Sequence, residues 1–184
     1  MASHVSPEVL RQLLTYDPES GKLFWKTRGV EWFSSGKDSA EANAAKWNAR
    51  FAGKEAINSS SGSHGYLDGA VLGKGVLAHR VAFAIIHGRW PVGVDHIDGD
   101  RWNNKDSNLR EATQAENMLN QKRRSDNPSG AAGIHRLRSG IWRASIKRGG
   151  VREDLGSFPT IEDAITARKR AEQRLGFHPN HGRA

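Results

Sequence analysis

The stretch VDHIDGDRWNNKDSNLREATQAENMLNQKRR, residues 94–124, carries the most informative pattern of the chain. Its first part, residues 94–100, has the pattern of a short strand that ends in a polar turn, and residues 108–124 have the composition of a long helix with a basic C-terminal end. A strand packed against such a helix would bring Asp95 and Asn117 close together. The stretch therefore predicts a strand, a polar loop and a helix around one polar site.

The polar side chains of this stretch suit hydrolysis of a phosphodiester. Asp95 and Asn117 offer oxygen ligands, which hard divalent cations such as Mg²⁺ and Mn²⁺ prefer. Two protein ligands leave coordination positions open for water and a phosphate, as a catalytic site needs. The neutral imidazole of His96 can take a proton from an attacking water, and Asn108 can hydrogen-bond across the polar loop and hold its shape. These residues predict a metal-assisted hydrolase.

The same stretch resembles the motif of HNH endonucleases of the phage and homing type, which have a ββα-metal fold. The resemblance lies in the Asp-His pair at the end of a strand, the asparagine-rich loop and the helix with the pattern NLR…T…EN. It implies that His96 is the general base, that Asn108 is the middle asparagine of the motif, and that Asn117 occupies its third position. It also implies that Asp95 and Asn117 ligate a single divalent metal ion, either Mg²⁺ or Mn²⁺.

Other polar residues in this region have simpler interpretations. Asp98, Asp100, Asn103 and Asn104 are of types that form turns, and the misplaced glycine and the lack of a suitably spaced Glu argue against an EF-hand calcium loop. His79 stands at the start of a predicted helix, where it either caps the helix or packs, or else contacts a phosphate. We expect turn formation for the first four, and capping or packing for His79.

The charge of the chain is concentrated at one end. The 184 residues include 28 Lys and Arg, 20 Asp and Glu, and no Cys, and the net charge of +8 lies in residues 121–184 because the rest is balanced. A basic surface favours a polyanionic partner, either nucleic acid or an anionic membrane surface. The lack of Cys excludes disulfides, Cys-based zinc sites and thiol nucleophiles. No stretch of about 18 apolar residues is present to span a bilayer.

The basic third of the chain has the pattern of a small module. A linker, SDNPSG, occupies residues 125–130, and three strand-like segments and one helix are predicted after it. The four predicted elements lie at residues 133–138, 141–148, 151–158 and 161–176.

Residues 131–184 resemble the three-stranded DNA-binding domain of plant ethylene-response factors, whose sheet lies in the major groove of DNA. The resemblance rests on the W-R-A-x-I strand and on the segment LGSF-T-EDA. It implies DNA contacts from the sheet, with Trp142 either contacting DNA or packing in the core. The implied DNA-binding residues are Arg136, Arg138, Trp142, Arg143, Lys147, Arg148 and Arg152.

Two further expectations concern this module and its linker. Arg123 and Arg124, at the end of the predicted motif helix, are expected to make nonspecific phosphate contacts. Ile134, Ile141 and Ile146 are expected to pack against the C-terminal helix. The pattern leaves open which face of the sheet points toward DNA.

The predicted fold class is α+β, with a ββα-metal nuclease core followed by a small domain of three strands and a helix. We expect an N-terminal region of helix and strand at residues 1–65, the nuclease core at 66–124, the linker at 125–130 and the DNA-binding domain at 131–184.

The predicted function is metal-dependent endonucleolytic cleavage of double-stranded DNA, leaving 5′-phosphate and 3′-hydroxyl ends. Nicking and double-strand cleavage both remain open, as do a monomer and a homodimer. The alternative is a non-catalytic DNA-binding regulator that uses the C-terminal module. We expect no membrane association, since no amphipathic helix has a clean apolar face. We also expect a cytoplasmic location, in the bacterial host if a phage encodes the protein.

Overall fold

The fold is α+β and is built from short helices and small sheets in two units, which confirms the predicted class at this coarse level. The first unit comprises the described residues up to His96 together with Asp100–Glu111, and the second comprises Ile97–Gly99 together with the described residues from Ala112 onward. The computed structural model describes residues 4–60, 65–120, 127–179 and 181–182.

The first unit begins with a helix that leads directly into a sheet. Helix α1 (Pro7–Leu13) is capped by Ser6, whose hydroxyl accepts a hydrogen bond from the Val9 backbone at 3.3 Å. The next residue, Leu14, adopts extended geometry and starts the first strand. The elements that follow are β1 (Leu14–Asp17), β2 (Lys22–Trp25), α2 (Ala40–Phe51) and β3 (Glu55–Ala56), with the strands in the order β1-β2-β3.

A hairpin and a buried helix complete the scaffold before the motif. Strands β4 (Asp68–Val71) and β5 (Lys74–Leu77) are joined by Leu72 and Gly73, whose positive φ angles of 50° and 75° are typical of a two-residue hairpin turn. Helix α3 (Ala78–His87) follows β5 without a break and ends at Gly88, which takes the left-handed conformation.

The main hydrophobic core of the first unit joins these elements. Helices α1 and α3 pack against each other, and the sheet and the hairpin contribute further buried side chains. Burial of this apolar surface is the main favourable contribution to folding here. Its buried members are Val5, Leu10, Leu13, Leu14, Leu23, Ala56, Ile57, Val71, Ala78, Val81 and Ala84.

The motif contains two strands where one strand and a long helix were expected. Strand β6 (Val94–His96) pairs antiparallel with β7 (Leu109–Glu111), and a single turn of 3₁₀ helix (Asp106–Asn108) precedes β7. The predicted helix over residues 108–124 is therefore wrong at its N-terminal end, and Asn108 lies in the turn before β7. The pairing with β6 supplies hydrogen bonds that the composition of the segment does not reveal.

The motif helix begins six residues later than predicted. Helix α4 (Gln114–Met118) starts at a capping box in which the Thr113 hydroxyl accepts from the Glu116 backbone and the Glu116 carboxylate accepts from the Thr113 backbone at 2.7 Å. Two donors that lack intrahelical partners are thereby satisfied, which sets the helix start. Residues 121–124 of the prediction lie outside the described residues.

The second unit contains α4, a three-stranded antiparallel sheet and the C-terminal helix. The strands are β8 (Ile134–Arg136), β9 (Trp142–Arg148) and β10 (Val151–Phe158), in the order β10-β9-β8, and helix α5 (Ile161–Arg174) packs on the sheet. The three strands and the helix appear in the predicted order. The predicted domain boundaries themselves stay a prediction.

The small core between this sheet and α5 contains Ile134, one of the three isoleucines that were expected there. Ile134 and Ile146 are buried, but Ile141 is 38% exposed, so its predicted packing is wrong. Ile141 precedes the first residue of β9 and lies in the connection from β8, where no alternation directs it toward the helix. Among the helices of the described residues, none is long and apolar enough to cross a membrane.

Candidate active site

His96 lies at the end of β6 and is almost fully buried. Its side chain is 3% exposed, and its Nε2 lies 2.9 Å from Oδ1 of Asn104. Asn104 is itself only 1% exposed. The predicted general base is therefore an enclosed imidazole in contact with an amide from the polar loop.

The backbone of the loop around Asn104 is anchored to the N-terminal sheet. The Tyr16 hydroxyl donates a hydrogen bond to the Asn104 carbonyl at 2.8 Å, and burial raises the pKa of Tyr16, so this hydroxyl stays protonated. On the other side Gly21, at φ +74°, lies so close that a Cβ there would be 2.5 Å from the Asn104 carbonyl carbon. Only glycine fits this approach without strain. The N-terminal hairpin thus holds the loop that contacts His96.

Asn108 forms hydrogen bonds within the same loop. Its Nδ2 donates to the backbone carbonyl of Asn103 at 2.7 Å, and its own backbone N–H donates to the Lys105 carbonyl at 2.9 Å. This is the type of contact that a supporting residue across the polar loop requires. The role predicted for Asn108 is compatible with this position, although Asn108 does not open a helix.

Two aromatic side chains pack around the His96 ring. His79 meets it edge to face, with ring centroids 5.2 Å apart, and Tyr66 lies 5.9 Å from it at 28° between the planes. Tyr66 and His79 also contact each other at 4.7 Å. The imidazole of His96 is thereby enclosed by ring contacts in addition to its contact with Asn104.

His79 is a buried neutral histidine. It is 4% exposed, and burial, with smaller contributions from His96 and Arg80, lowers its pKa to about 3. Its Nδ1 is buried and has no hydrogen-bond partner. Helix α3 begins at Ala78 after Leu77, which makes no side-chain cap. Packing, and not capping, is therefore the role of His79.

Asp95, a predicted metal ligand, is paired with Arg110 across the two strands. Nε and Nη2 of Arg110 both donate to Oδ2 of Asp95, at 3.1 and 2.7 Å. The Asp95 side chain is 14% exposed. A bidentate donor on one oxygen fixes the orientation of the carboxylate, as partners of metal ligands commonly do.

Asn117, the other predicted ligand, lies in α4 of the second unit, whereas Asp95 belongs to the first. Oδ1 of Asn117 is buried and has no hydrogen-bond partner. An amide oxygen without a donor costs free energy unless a cation or another group satisfies it. Each of the two side chains thus offers an oxygen of the type that a hard divalent cation prefers.

A metal site made wholly of carboxylates and imidazoles is not seen in the part of the chain that the structure describes. No group of three or more His, Asp or Glu side chains is arranged there to hold a metal ion. The candidate ligands are instead one carboxylate and one amide.

The strands of the second unit separate the predicted DNA-binding residues onto two faces. Side chains alternate along a strand, and Ala144 points toward Ala164 of α5. The residues directly before and after Ala144, and those two positions further along in the same alternation, therefore point away from α5. Arg143 and Lys147 are such residues, and Arg152 pairs with Lys147 in the β9–β10 ladder. These three exposed side chains define what we call the open face.

Three of the predicted contacts lie on the face that α5 covers. Trp142 packs against the small core, and the Arg136 guanidinium lies 5.8 Å from its ring. Nη1 of Arg148 donates to the carbonyl of Leu175 at the end of α5. These side chains have structural partners, and for Trp142 the packing alternative is the one that the structure favours. Arg138 is exposed in the connection between β8 and β9.

One residue of the open face, Arg143, is paired with an acidic side chain. Arg143 and Asp154 form an ion pair at 2.6 Å, with the two side chains 48% and 52% exposed. The hydrogen bond from Arg143 holds the pKa of Asp154 below its usual value. Of the predicted phosphate contacts, Arg123 and Arg124 lie outside the described residues.

Sequence reasoning missed the residues that enclose His96. Asn104 is predicted only as a turn residue, and no functional role is predicted for Tyr16, Gly21 or Tyr66. The Asn-Asn pair in the loop was visible, but nothing local distinguishes a buried asparagine from a solvated one. The contact of Tyr16 with Asn104 spans 88 positions, which no local pattern encodes.

The motif region is similar to a known family of nucleases. Residues 76–119 match the family model described as HNH endonuclease, and this range contains Asp95, His96, Asn108 and Asn117. The resemblance that the motif predicted is therefore confirmed for this part of the chain. The resemblance of the C-terminal module to the ethylene-response-factor domain stays a prediction.

One viral relative extends the similarity beyond the motif. Over 105 residues the chain is 33% identical to a protein of Acanthamoeba polyphaga mimivirus that is named an uncharacterized HNH endonuclease. The alignment covers 56% of this chain and 54% of the relative, so the chain spans about half the length of the relative it matches. No solved structure matches the chain.

Proposed function

We propose that this protein is a metal-dependent endonuclease that hydrolyses phosphodiester bonds of double-stranded DNA. The observation that carries the proposal is the enclosed His96, held by Asn104 at 2.9 Å within the segment that matches HNH endonucleases. The contact with Asn104 satisfies one nitrogen of the buried ring and fixes its orientation. A histidine that moves a proton needs a fixed ring.

In the proposed mechanism each motif residue has one task. His96 takes a proton from the attacking water, and Asn108 keeps the loop beside it in shape through its bond to the Asn103 carbonyl. Asp95, oriented by Arg110, and Asn117, with its unpartnered oxygen, would hold the cation. A bound Mg²⁺ or Mn²⁺ supplies positive charge to the phosphate and to the leaving 3′ oxygen. Cleavage then leaves a 5′-phosphate and a 3′-hydroxyl.

We place the DNA contacts of the C-terminal module on the open face. Arg143, Lys147 and Arg152 lie on that face, with Arg143 paired to Asp154. Arg136 and Arg148 are also exposed, but they contact groups on the side of α5. Exposed cations in a row bind phosphates and release counterions, which gives affinity that depends on salt. The net charge of +8 is consistent with such a surface.

A plasmid-nicking assay tests the proposal directly. The wild-type protein should convert supercoiled plasmid to open-circular or linear DNA with Mg²⁺ or Mn²⁺, and EDTA should stop the conversion. His96→Ala should reduce the rate by about 10²-fold to 10⁴-fold, the usual contribution of a general base. His87→Ala is the matched control, because His87 is exposed at the end of α3 and its ring contacts Phe83.

The same assay separates the proposal from its alternative. Full cleavage by His96→Ala in the presence of metal would contradict the mechanism. Tight DNA binding by the wild type, with no cleavage in Mg²⁺ or Mn²⁺, would favour the non-catalytic regulator. The ratio of open-circular to linear product reports whether one strand or both are cut.

A further inference from the structure

We propose that Asn104 is a positioning residue that sets the tautomer of His96. In this assignment the Asn104 amide oxygen accepts a hydrogen bond from Nε2–H of His96 at 2.9 Å, so the lone pair of the neutral ring lies on Nδ1. Nδ1 is then the atom that takes the proton from water. The catalytic part of this inference rests on the proposed function, whereas the tautomer itself does not.

The first argument is the placement of Asn104. A residue that serves only to form a turn is usually solvated, but this side chain is 1% exposed and directed to a single buried partner. Its backbone is also held from two sides, by the Tyr16 hydroxyl and by the close approach of Gly21. The amide therefore has little freedom to turn away from the imidazole.

The second argument is chemical. A neutral imidazole carries one N–H, and the hydrogen bond made by one nitrogen determines which form is populated. With the proton on Nδ1, the ring would present a donor to the attacking water and could not accept its proton there. An acceptor at Nε2 is thus what a base acting through Nδ1 requires. The ring contacts of Tyr66 and His79 restrict the plane of the imidazole, but they do not select a tautomer.

The third argument is that asparagine is a costly choice for stability alone. Nδ2 of Asn104 is buried and has no hydrogen-bond partner. Leaving such a donor unpaired is unfavourable. A residue selected only for packing would avoid this donor, whereas a residue selected for its acceptor oxygen can retain it.

The test combines NMR with cleavage kinetics. In ¹⁵N-histidine-labelled protein at pH 8, long-range ¹H–¹⁵N spectra distinguish the two tautomers, and His96→Ala assigns the His96 signals. We expect the Nε2–H form in the wild type and a mixture of forms in Asn104→Leu. The kcat of Asn104→Leu should fall by between about tenfold and about 10⁴-fold, with little change in KM, as for a base in the wrong tautomer.

Asn104→Asp is the conservative variant that should rescue both readouts. It retains an acceptor oxygen and removes the unpartnered donor, so it should keep the Nε2–H form and cleave at least about tenfold faster than Asn104→Leu. Asn48→Leu is the structural control. Asn48 makes two backbone hydrogen bonds to Arg28, so its loss should lower the melting temperature without altering the His96 tautomer.

Specific outcomes would overturn the inference. A wild-type His96 in the Nδ1–H form would contradict it, as would an unchanged tautomer or an unchanged kcat in Asn104→Leu. If His96→Ala cleaved DNA as fast as the wild type, the proposed function would fail instead, while the NMR spectra would still decide whether Asn104 sets the tautomer.

Discussion

Asp95 lies directly opposite Arg110 in the ladder of β6 and β7, and two nitrogens of this guanidinium donate to a single oxygen of the carboxylate. The strand pairing itself brings the two residues together, since register partners on antiparallel strands have neighbouring side chains. The pairing of the two motif strands is therefore what forms the ion pair. It orients the proposed metal ligand before any cation arrives.

Replacing Arg110 should weaken metal binding more than it weakens the fold. In Arg110→Leu the Asp95 carboxylate loses its orienting partner, and the Mg²⁺ or Mn²⁺ concentration for half-maximal cleavage should rise by about 10-fold to 100-fold. Arg89→Leu is a matched control, because Arg89 pairs with Glu111 at the end of the same strand. Equal metal requirements in both variants would show that the Asp95–Arg110 pair has only a structural role.

Replacing Asn117 should reduce the cleavage rate without reducing the stability of the fold. Its Oδ1 is buried without a partner, so Asn117→Leu removes an unsatisfied acceptor and should change the free energy of unfolding by no more than about 1 kcal/mol. Cleavage should nevertheless fall by about 10²-fold or more, since a metal ligand contributes several kcal/mol to the transition state. Urea unfolding and plasmid nicking measure the two effects. A variant that cleaves normally would exclude Asn117 as a ligand.

The lowered pKa of the buried His79 predicts that the free energy of unfolding depends on pH. Its folded-state pKa is lowered to about 3, whereas in the unfolded chain a histidine titrates near 6.5. Between these values the unfolded state binds more protons, so the stability contribution of neutral His79 is present above about pH 6.5 and is lost as pH falls toward about 3. The groups that face it are His96, Arg80 and Tyr66.

His79→Phe isolates this effect because it keeps a ring and removes the titratable group. The wild type should lose stability relative to the variant by up to about 1.4 kcal/mol for each pH unit below about 6.5. Urea unfolding at pH 7, 6 and 5 checks it. Parallel pH profiles for the two proteins would contradict the buried neutral state of His79.

The open face predicts which arginines and lysines contribute to DNA affinity. Lys147→Ala and Arg152→Ala should each weaken binding to any sequence and reduce the slope of log K against log salt by about 1. Arg148→Ala should leave the slope unchanged, because its guanidinium donates to the Leu175 carbonyl at the end of α5. Fluorescence anisotropy with a labelled duplex at several salt concentrations measures these slopes. The reverse pattern would assign DNA binding to the other face.

Much of the local structure could be predicted because its determinants are contiguous in sequence. The Ser6 cap and the Gly149–Gly150 turn between β9 and β10 each involve residues a few positions apart. The capping box of Thr113 and Glu116 is equally local, but the helix predicted from Asn108 does not take it into account. Caps and tight turns satisfy backbone groups locally, so the residue types alone indicate them. The helix predicted from Asn108 was wrong because β7 draws its hydrogen bonds from β6, which is distant along the chain.

The residue types of the motif are legible in the sequence alone: an acid stands beside a histidine, and two asparagines follow at spacings that resemble HNH endonucleases. The concentration of positive charge near the C-terminus is equally legible there. The packing of the folded chain, in contrast, buries Asn104 and His79 against His96 and places Arg143, Lys147 and Arg152 on one face of the sheet. The physical reason is that burial and partner choice depend on elements far apart in the chain. Tyr16 and Gly21, which hold Asn104 from the N-terminal hairpin, are the clearest example.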